Sequence, residues 1–517
     1  MKVTPSYEEF EKLCKEGFNV IPLSVELLGD SFTPVSCYAN LKNGSEQAFL
    51  LESVDGGERI GRYSIIGVNG EAYFTVKGSQ LKVTSARKNN PLAELPSDDA
   101  FAVLKSLLTK FKSPQLLDCG MGPGLVGGIS YDTVRLFEPV DLKPSEEFPD
   151  ASFVLLGDLV VFDNLKKSLR AVSNVYVDSF NDLETAYEEG IERIKHLLSK
   201  LENTNASSVG ALIPTEILQG QENKERWKSS FTKELYKESV KKAKERILAG
   251  DIFQLVLSQG LKLDLRTIDP HLKIDPLLLY RMLRTLNPSP YLFLLDFPDF
   301  QAIGSSPEVM VKSEFVKEDN NFLAYLRPIA GTYRRGATPK DDEELIKKLK
   351  EDPKELAEHL MLIDLARNDL GRVAIPGTVR LTDLMIVERY SHVLHLVSEI
   401  VANLDKKIDP IDLLKAVFPA GTLSGAPKVK AMQIISELEP TARGLYAGAI
   451  GYIGFDNTIN MAMTIRTLIM KDQTIHLQVG AGIVHDSDPE KEFQETINKG
   501  AALLKVVEGA IILSSKN

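Results

Sequence analysis

Three acidic side chains, Glu490, Glu492 and Glu495, stand close together in VGAGIVHDSDPEKEFQETINK, Val479 to Lys499, beside a glycine-flanked run of backbone. Ordinary helix chemistry accounts for part of this. Asp488 suits an N-cap, Pro489 suits the first helical position, and acidic residues in the first turn complement the helix dipole. Glu492 and Glu495 share one helical face, which Lys499 extends, while Phe493, Ile497 and Leu504 mark the packing side. Carboxylates without Cys or His at ligand spacing describe a hard oxygen site. Such a site suits Mg2+, which keeps waters and takes oxygens from a bound anion, and it does not suit zinc.

A further carboxylate stands in DPKELAEHLMLIDLARNDLGRV, from Asp352. Leu356, Leu360, Met361, Ile363 and Leu365 distribute around much of that helix, the pattern of a buried one. Glu358 lies on the same side as Leu362 and Leu365 and so faces a largely apolar environment. A buried carboxylate needs a partner, either a metal ion or a salt bridge to Arg367 or Arg372. Three other stretches suit close backbone approach or an isolated charge. AGTLSGAPKVKAM, from Ala420, is a glycine-rich loop entering a helix, whose free N–H groups suit an anion, although a plain capped helix start reads the same way. PIAGTYRRG, Pro328–Gly336, sets Gly331 and Thr332 before two arginines, as a ligand turn or a turn with a solvated basic tail. INMAMTIRTLIM holds Arg466 inside an apolar strand, where it should meet a carboxylate of the protein or of a ligand.

The elements that carry these residues form a mixed pattern. Short β-rich runs (QAFLLESV, EAYFTVKG, FVLLGDLVVF) fill the first ~165 residues, punctuated by NG and DGG turns. Helical spacing follows over about Asp182 to Leu201, and LENTNASSVGALIPTEILQGQEN reads as an exposed linker or excursion. The spacing predicts an amphipathic helix over Thr232–Ala249, closed by Gly250. Strands YLFLLDF, AIGSSPEVMVK, LYAGAIGYIGF, INMAMTIRTLIM and TIHLQVGAGIV come next. Strand often follows strand without a helix between, so an α+β architecture with antiparallel sheets is expected over a doubly wound one. The division expected is an N-terminal lobe over 1–200, a linker over 201–227 and a second lobe over 228–517.

With 517 residues, 43% hydrophobic and 26% charged, the chain can bury a large core. A net charge of -11 gives no electrostatic reason to expect nucleic acid or an anionic membrane as a partner. Cys14, Cys37 and Cys119 are scattered without CxxC spacing, which fits a reducing compartment. No unbroken apolar run reaches ~18 residues and the start lacks a signal pattern, so a cytoplasmic location is expected.

Together these stretches resemble the chorismate-utilising enzyme family, and within it the anthranilate synthase component I branch, from about Pro22 to Glu508. The motifs stand in order as LLESVDGGERIGRYSIIG, GGISYDTVRLFE, GDIFQLVLSQ, NPSPYLFLL, IGSSPE, RPIAGTYRRG, EHLMLIDLARNDLGRV, HVLHLVSEI, PAGTLSGAPK, YAGAIGY, IRT and GAGIVHDSDPEKEFQETINKG. The resemblance implies large antiparallel β-sheets packed as a sandwich with helices on the outside. It implies Mg2+-dependent attack of ammonia on chorismate and loss of pyruvate to give anthranilate, the first step of tryptophan biosynthesis. By motif match, Glu358 and Glu495 would be metal ligands, with Glu492 close by. Glu308 in SSPE would be the general acid, with a raised pKa, and His395 in HVLHL would serve pyruvate elimination. Arg466, Tyr446, Thr422 and the Gly480-Ala481-Gly482 backbone would bind chorismate, with Gly331 and Thr332 on another side.

Two positions discriminate among relatives. Water-adding members carry a lysine base where Gln254 stands, and glutamine cannot deprotonate water, so ammonia is the expected nucleophile. Aminodeoxychorismate synthases, the rival reading, commonly carry a lysine where Ala330 stands. LLES and NPSPY also match the family's tryptophan-feedback pocket, implicating Ser53, Pro290, Tyr291 and Leu292, the last often methionine in relatives. The family takes its ammonia from a glutamine amidotransferase subunit, component II. None of the three cysteines here sits in a GxCxG-type nucleophile elbow, so this chain alone should use ammonium and not glutamine.

Overall fold

The computed structural model describes residues 2–43, 45, 47–53, 61–85, 92, 95, 99–202, 209, 212–220, 223–390 and 393–515. The VDGGERI part of the first motif, His392 and much of the expected linker lie outside these residues. The strands form two large sheets, one of twelve strands and one of eleven, with every pairing antiparallel. Apolar side chains from both, including Phe49, Val126, Phe293 and Ile450, interdigitate as the layer between the sheets. Helices cover the outer faces. Leu277, Leu283, Leu503 and Val507 seal the twelve-stranded sheet, and Leu104, Leu370 and Leu414 seal the other.

The expected boundary near residue 200 is not a sheet boundary. The strand Ala48–Glu52 pairs with Tyr291–Asp296, and Gly124–Ile129 pairs with Ala449–Gly454, so both sheets draw on both parts of the chain. The segment expected as an exposed linker is docked in part. Ile217 and Trp227 pack on the outer layer of the larger sheet, whereas Leu212 is solvent-exposed.

Local sequence sets the helix ends. Asp352 caps the helix Pro353–Gly371 by accepting from the backbone of Lys354 and Glu355. Asp488 caps Pro489–Ser514 in the same way, through Glu490 and Lys491. Thr232 caps Lys233–Leu248, and Gly250, at φ +79°, turns the chain out of it. The helix Leu183–Glu202 also stands where the apolar spacing put it.

Two strand expectations need correction. AIGSSPEVMVK is two strands, Gln301–Ser306 in the larger sheet and Val309–Val316 in the smaller. INMAMTIRTLIM is likewise Ile459–Met463 and Thr467–Lys471, one in each sheet. Continuous hydrophobicity hides the crossings, because a strand that changes sheets stays in the core throughout. The helix Pro353–Gly371 is corrected too. It is not buried on every side: His359, Leu362, Ile363, Ala366 and Leu370 face the core, but Leu360 is 51% exposed.

Candidate active site

Glu308 and Arg466 stand at the two crossings between the sheets. Arg466 is therefore not inside a strand; it adopts φ +49°, a left-handed backbone that ends one strand and re-aims the next. The crossings are tied together. The Met463 amide donates to the Glu308 carbonyl at 3.0 Å, and the Ser305 amide donates to the Arg466 carbonyl at 3.1 Å. The Glu308 carboxyl is buried and accepts a hydrogen bond from Thr422 Oγ1 at 3.2 Å. Burial pushes its pKa up to about 8, against the opposing pull of Thr422, Arg466 and Lys499. At neutral pH it is a neutral acid with a proton to give.

Arg466 is half-buried, and loss of hydration pulls its pKa down, with Glu308 opposing. Among the described residues no carboxylate lies within salt-bridge distance of its guanidinium. The expected carboxylate partner is therefore not supplied by the described chain, and the planar donor fork is suited to an anionic ligand.

Glycines form one wall. Gly480, Ala481 and Gly482 lie on the strand Thr474–Ile483, which pairs with Gln254–Asp264 along one edge. On the other edge, pairing with Thr467–Lys471 stops at Leu477, so no described strand covers the glycines there. Their small size is used. A Cβ on Gly480 would come within 2.6 Å of Tyr446 Oη, and one on Gly482 within 2.9 Å of Gln254 Nε2. Gln254 is 4% exposed, and its Oε1 accepts no hydrogen bond among the described residues.

The smaller sheet supplies the opposite side. Thr332 pairs in register with His395, beside a bulge that leaves Gly331 at φ +62°. His395 Nδ1 lies 3.3 Å from the Gly331 carbonyl, and its ring packs edge-on against Tyr390. Burial, reinforced by Arg466, pushes its pKa down to about 4, so the imidazole is neutral at physiological pH.

The expected metal carboxylates sit at the facing starts of two helices. Glu358 is half-buried and not in an apolar niche, and neither alternative partner reaches it. Arg367 pairs with Asp364, and Arg372 with Glu138. Glu495 is exposed and bonded to Lys499 at 2.8 Å, whose ammonium also donates to the Gly480 carbonyl at 3.1 Å. Glu355, which the sequence reading missed, belongs with them. Its Oε2 lies 3.1 Å from where a Gly331 Cβ would be. Its pKa is raised by burial and by the charges of Glu358, Asp352 and Glu495. The pKa of Glu492 is raised by burial and by Glu495. The Glu355–Glu358 spacing of three is the sequence signal for it.

Among the described residues, no three His, Cys, Asp or Glu side chains converge as a ligand cluster on their own. The donor set nevertheless fits a hard dication. These are hard oxygen donors, and an ion that completes its shell with water and substrate needs only some of them.

A cleft of about 400 Å³ opens on the Glu308 side, lined among others by Thr422, Met463, Leu362 and Ala366. Ser53 follows directly on Glu52, which pairs with Leu292, so Ser53, Pro290 and Tyr291 gather at one end of adjacent strands. The Ser53 hydroxyl is buried without a partner among the described residues. Burial raises the Tyr291 pKa to about 12.

Comparison with known proteins places this geometry in context. The chorismate binding enzyme family model matches residues 46–505. The anthranilate synthase component 1 of Aquifex aeolicus is 42% identical over 512 residues, covering 98% of each chain, and that of Synechocystis sp. is 41% identical over 519. The crystal structure of anthranilate synthase component I from Streptococcus pneumoniae superposes with a TM-score of 0.72 at 31% identity, covering 92% of this chain and 98% of that one. The isochorismate synthase MenF of Escherichia coli shares the fold, with a TM-score of 0.67 at 19% identity over 97% of this chain and all of MenF. With the family model spanning residues 46–505 and relatives matched over 98% of its length, the chain belongs to the family of chorismate-binding enzymes.

Proposed function

We propose that the chain converts chorismate and ammonia to anthranilate and pyruvate, as the large subunit of an anthranilate synthase. The observation that carries this reading is the pairing at the seam of a buried neutral acid, Glu308, with a guanidinium, Arg466, that no described carboxylate neutralises. In this reading Arg466 and the backbone of Gly480–Gly482 on its edge away from Gln254–Asp264 hold a substrate carboxylate, while Tyr446 and Thr422 close the site around the ring. Glu308 protonates the departing hydroxyl, which a carboxylate in its usual pKa range could not do at neutral pH. Gln254 faces the nucleophile with an acceptor oxygen and no basic lone pair on nitrogen, which suits ammonia better than water. Neutral His395, oriented by the Gly331 carbonyl, serves the elimination of pyruvate.

Glu358 and Glu495, with Glu355 and Glu492 beside them, would hold Mg2+. When bound, the ion would grip a substrate carboxylate and help polarise the ring. Ammonia would come from a glutamine amidotransferase partner, with this chain alone using ammonium salts. Among the described residues no helix is long and apolar enough to cross a membrane, which supports a cytoplasmic location. We also propose that tryptophan binds at Ser53, Pro290, Tyr291 and Leu292 and favours a state with poorer chorismate affinity. That coupling must be reciprocal, so chorismate affinity unchanged by saturating tryptophan would refute it.

Incubation of the purified chain with chorismate, Mg2+ and an ammonium salt tests the central reading. Fluorescent anthranilate and an equal amount of pyruvate are expected. An aminated product that retains the enolpyruvyl group would make aminodeoxychorismate formation the activity instead.

A further inference from the structure

The motif RPIAGTYRRG holds two arginines, Arg327 and Arg335, to which the proposed function gives no part. They flank the strand Ile329–Arg334, whose Thr332 pairs in register with His395. On its other side His395 pairs in register with Glu388, on the strand Arg380–Arg389. The Tyr390 amide continues that ladder by donating to the Val393 carbonyl at 2.9 Å. Direct partners in an antiparallel ladder, and residues two apart on one strand, point to the same face. Glu388 and Tyr390 therefore lie on the face that carries the His395 ring. The Tyr390 and His395 rings meet there, with centroids 5.4 Å apart and planes at 72°.

Each arginine holds one part of this pair. Arg327 donates to Glu388 Oε1, and Glu388 Oε2 accepts from Tyr390 Oη at 2.8 Å. Arg335 donates to the Tyr390 carbonyl at 2.8 Å and to the buried Asp342 at 2.7 Å. Arg335 is exposed yet held, so it is not a loose basic tail. Tyr390 is thus fixed at its hydroxyl and at its backbone. With 9% exposure for Tyr390 and 6% for His395, the tyrosine ring limits where the imidazole can lie.

The arrangement also bears on charge. The Gly331 carbonyl, 3.3 Å from His395 Nδ1, can only accept, so the neutral ring carries its proton on Nδ1 and its lone pair on Nε2. Burial and Arg466 oppose a positive charge on this ring, and Glu388 favours it. Elimination of pyruvate calls for that charge in passing. The substrate ring loses a proton as its C–O bond to the enolpyruvyl group breaks, and the departing enolate gains a proton on carbon. A histidine that takes the first proton and returns one is an imidazolium between the two events.

We propose that Glu388 and Tyr390 are positioning residues for His395 in the elimination of pyruvate. Tyr390 fixes the imidazole plane, while Glu388 holds Tyr390 and balances the passing positive charge. Arg327 and Arg335 anchor the pair from the two ends of one strand. This rests on the function proposed above, whose second step it concerns.

Two variants separate this role from a purely structural one. Glu388→Gln keeps an acceptor for Tyr390 and removes the charge, while Tyr390→Phe keeps the ring and removes the hydroxyl. In assays with chorismate, Mg2+ and an ammonium salt, both should consume chorismate near the rate of the unmodified chain. Anthranilate and pyruvate should form about tenfold more slowly in Glu388→Gln, with a smaller deficit in Tyr390→Phe. An aminated compound that retains the enolpyruvyl group should appear in solution to the same extent. Chorismate consumption and anthranilate formation that fall in equal proportion without that compound, or kinetics unchanged in both variants, overturn the assignment. Tyr390→Phe removes a single oxygen atom, so it decides alone if Glu388→Gln does not fold. An unmodified chain that forms no anthranilate overturns the proposed function itself.

Discussion

Glu308 lies at the seam between the sheets with 7% exposure, its carboxyl held by the Thr422 hydroxyl and the Ile329 backbone, whereas Glu495 stands in the open on a helix surface against Lys499. Both are carboxylates of the proposed site, yet the fold surrounds them in opposite ways. At Glu308, removal of water makes the charged form costly, and the group keeps its proton. At Glu355, Glu358, Glu492 and Glu495, several carboxylates from two helices crowd together where water still reaches them. Glu355 and Glu492 have raised pKa values there, and in the proposed reading the group offers its oxygens to a cation. In the proposed reading, proton donation and metal binding therefore fall to groups of different burial.

The largest effect expected of any single change is on the buried side. Glu308→Gln keeps the shape and the Thr422 contact but has no proton to give, so turnover should fall by about 10²–10⁴-fold with chorismate affinity little changed. The pH profile checks the same assignment. Turnover in the unmodified chain should decline as pH rises through about 8, where Glu308 loses its proton. Stability should move in the same direction. Between the ordinary carboxylate range and about pH 8 the folded chain holds a proton that the unfolded chain has released, so this group's contribution falls as pH rises across that window. Glu308→Gln should therefore melt above the unmodified chain at pH 8.5 and close to it at pH 5. A variant that melts lower at both would contradict a buried acid with a raised pKa.

The contrast also explains what could be read from sequence. Helix caps and carboxylate spacing are local, and Asp488, Pro489, Glu492 and Glu495 stand as their spacing indicated. Burial is not local. Glu358 looked enclosed because its helix carries apolar residues on many sides, but Leu360 faces solvent and Glu358 is only half-buried. Arg466 looked like a strand residue because a strand that changes sheets leaves no polar gap. The motif order singled out candidate residues. It could not show that Glu308 and Arg466 share a seam, since that depends on two crossings more than 150 residues apart in the chain.

On the open side the expected effects are smaller and depend on cation concentration. Glu358→Gln should raise the Mg2+ concentration for half-maximal rate by about 10–100-fold, the range for loss of a group that supports a metal site. Because water reaches this region, excess Mg2+ should recover part of the rate, as it cannot for Glu308→Gln. Tryptophan binding, measured by calorimetry, should be unchanged. Full turnover at ordinary Mg2+ would remove Glu358 from the metal site.

The smallest effect lies between the two sides, at the glycine wall. Gly482→Ala places a methyl group 2.9 Å from Gln254 Nε2, the far end of a side chain that can move. The backbone at this position is an ordinary strand, so the fold should survive, and the methyl instead swings the Gln254 amide away from its position. That displacement should lower the rate with ammonium by about tenfold, with the Mg2+ requirement and the pH limit near 8 both retained. A shift in the Mg2+ requirement would mean that the glycine wall belongs electrically to the open side. A shift in the pH limit would tie it to Glu308.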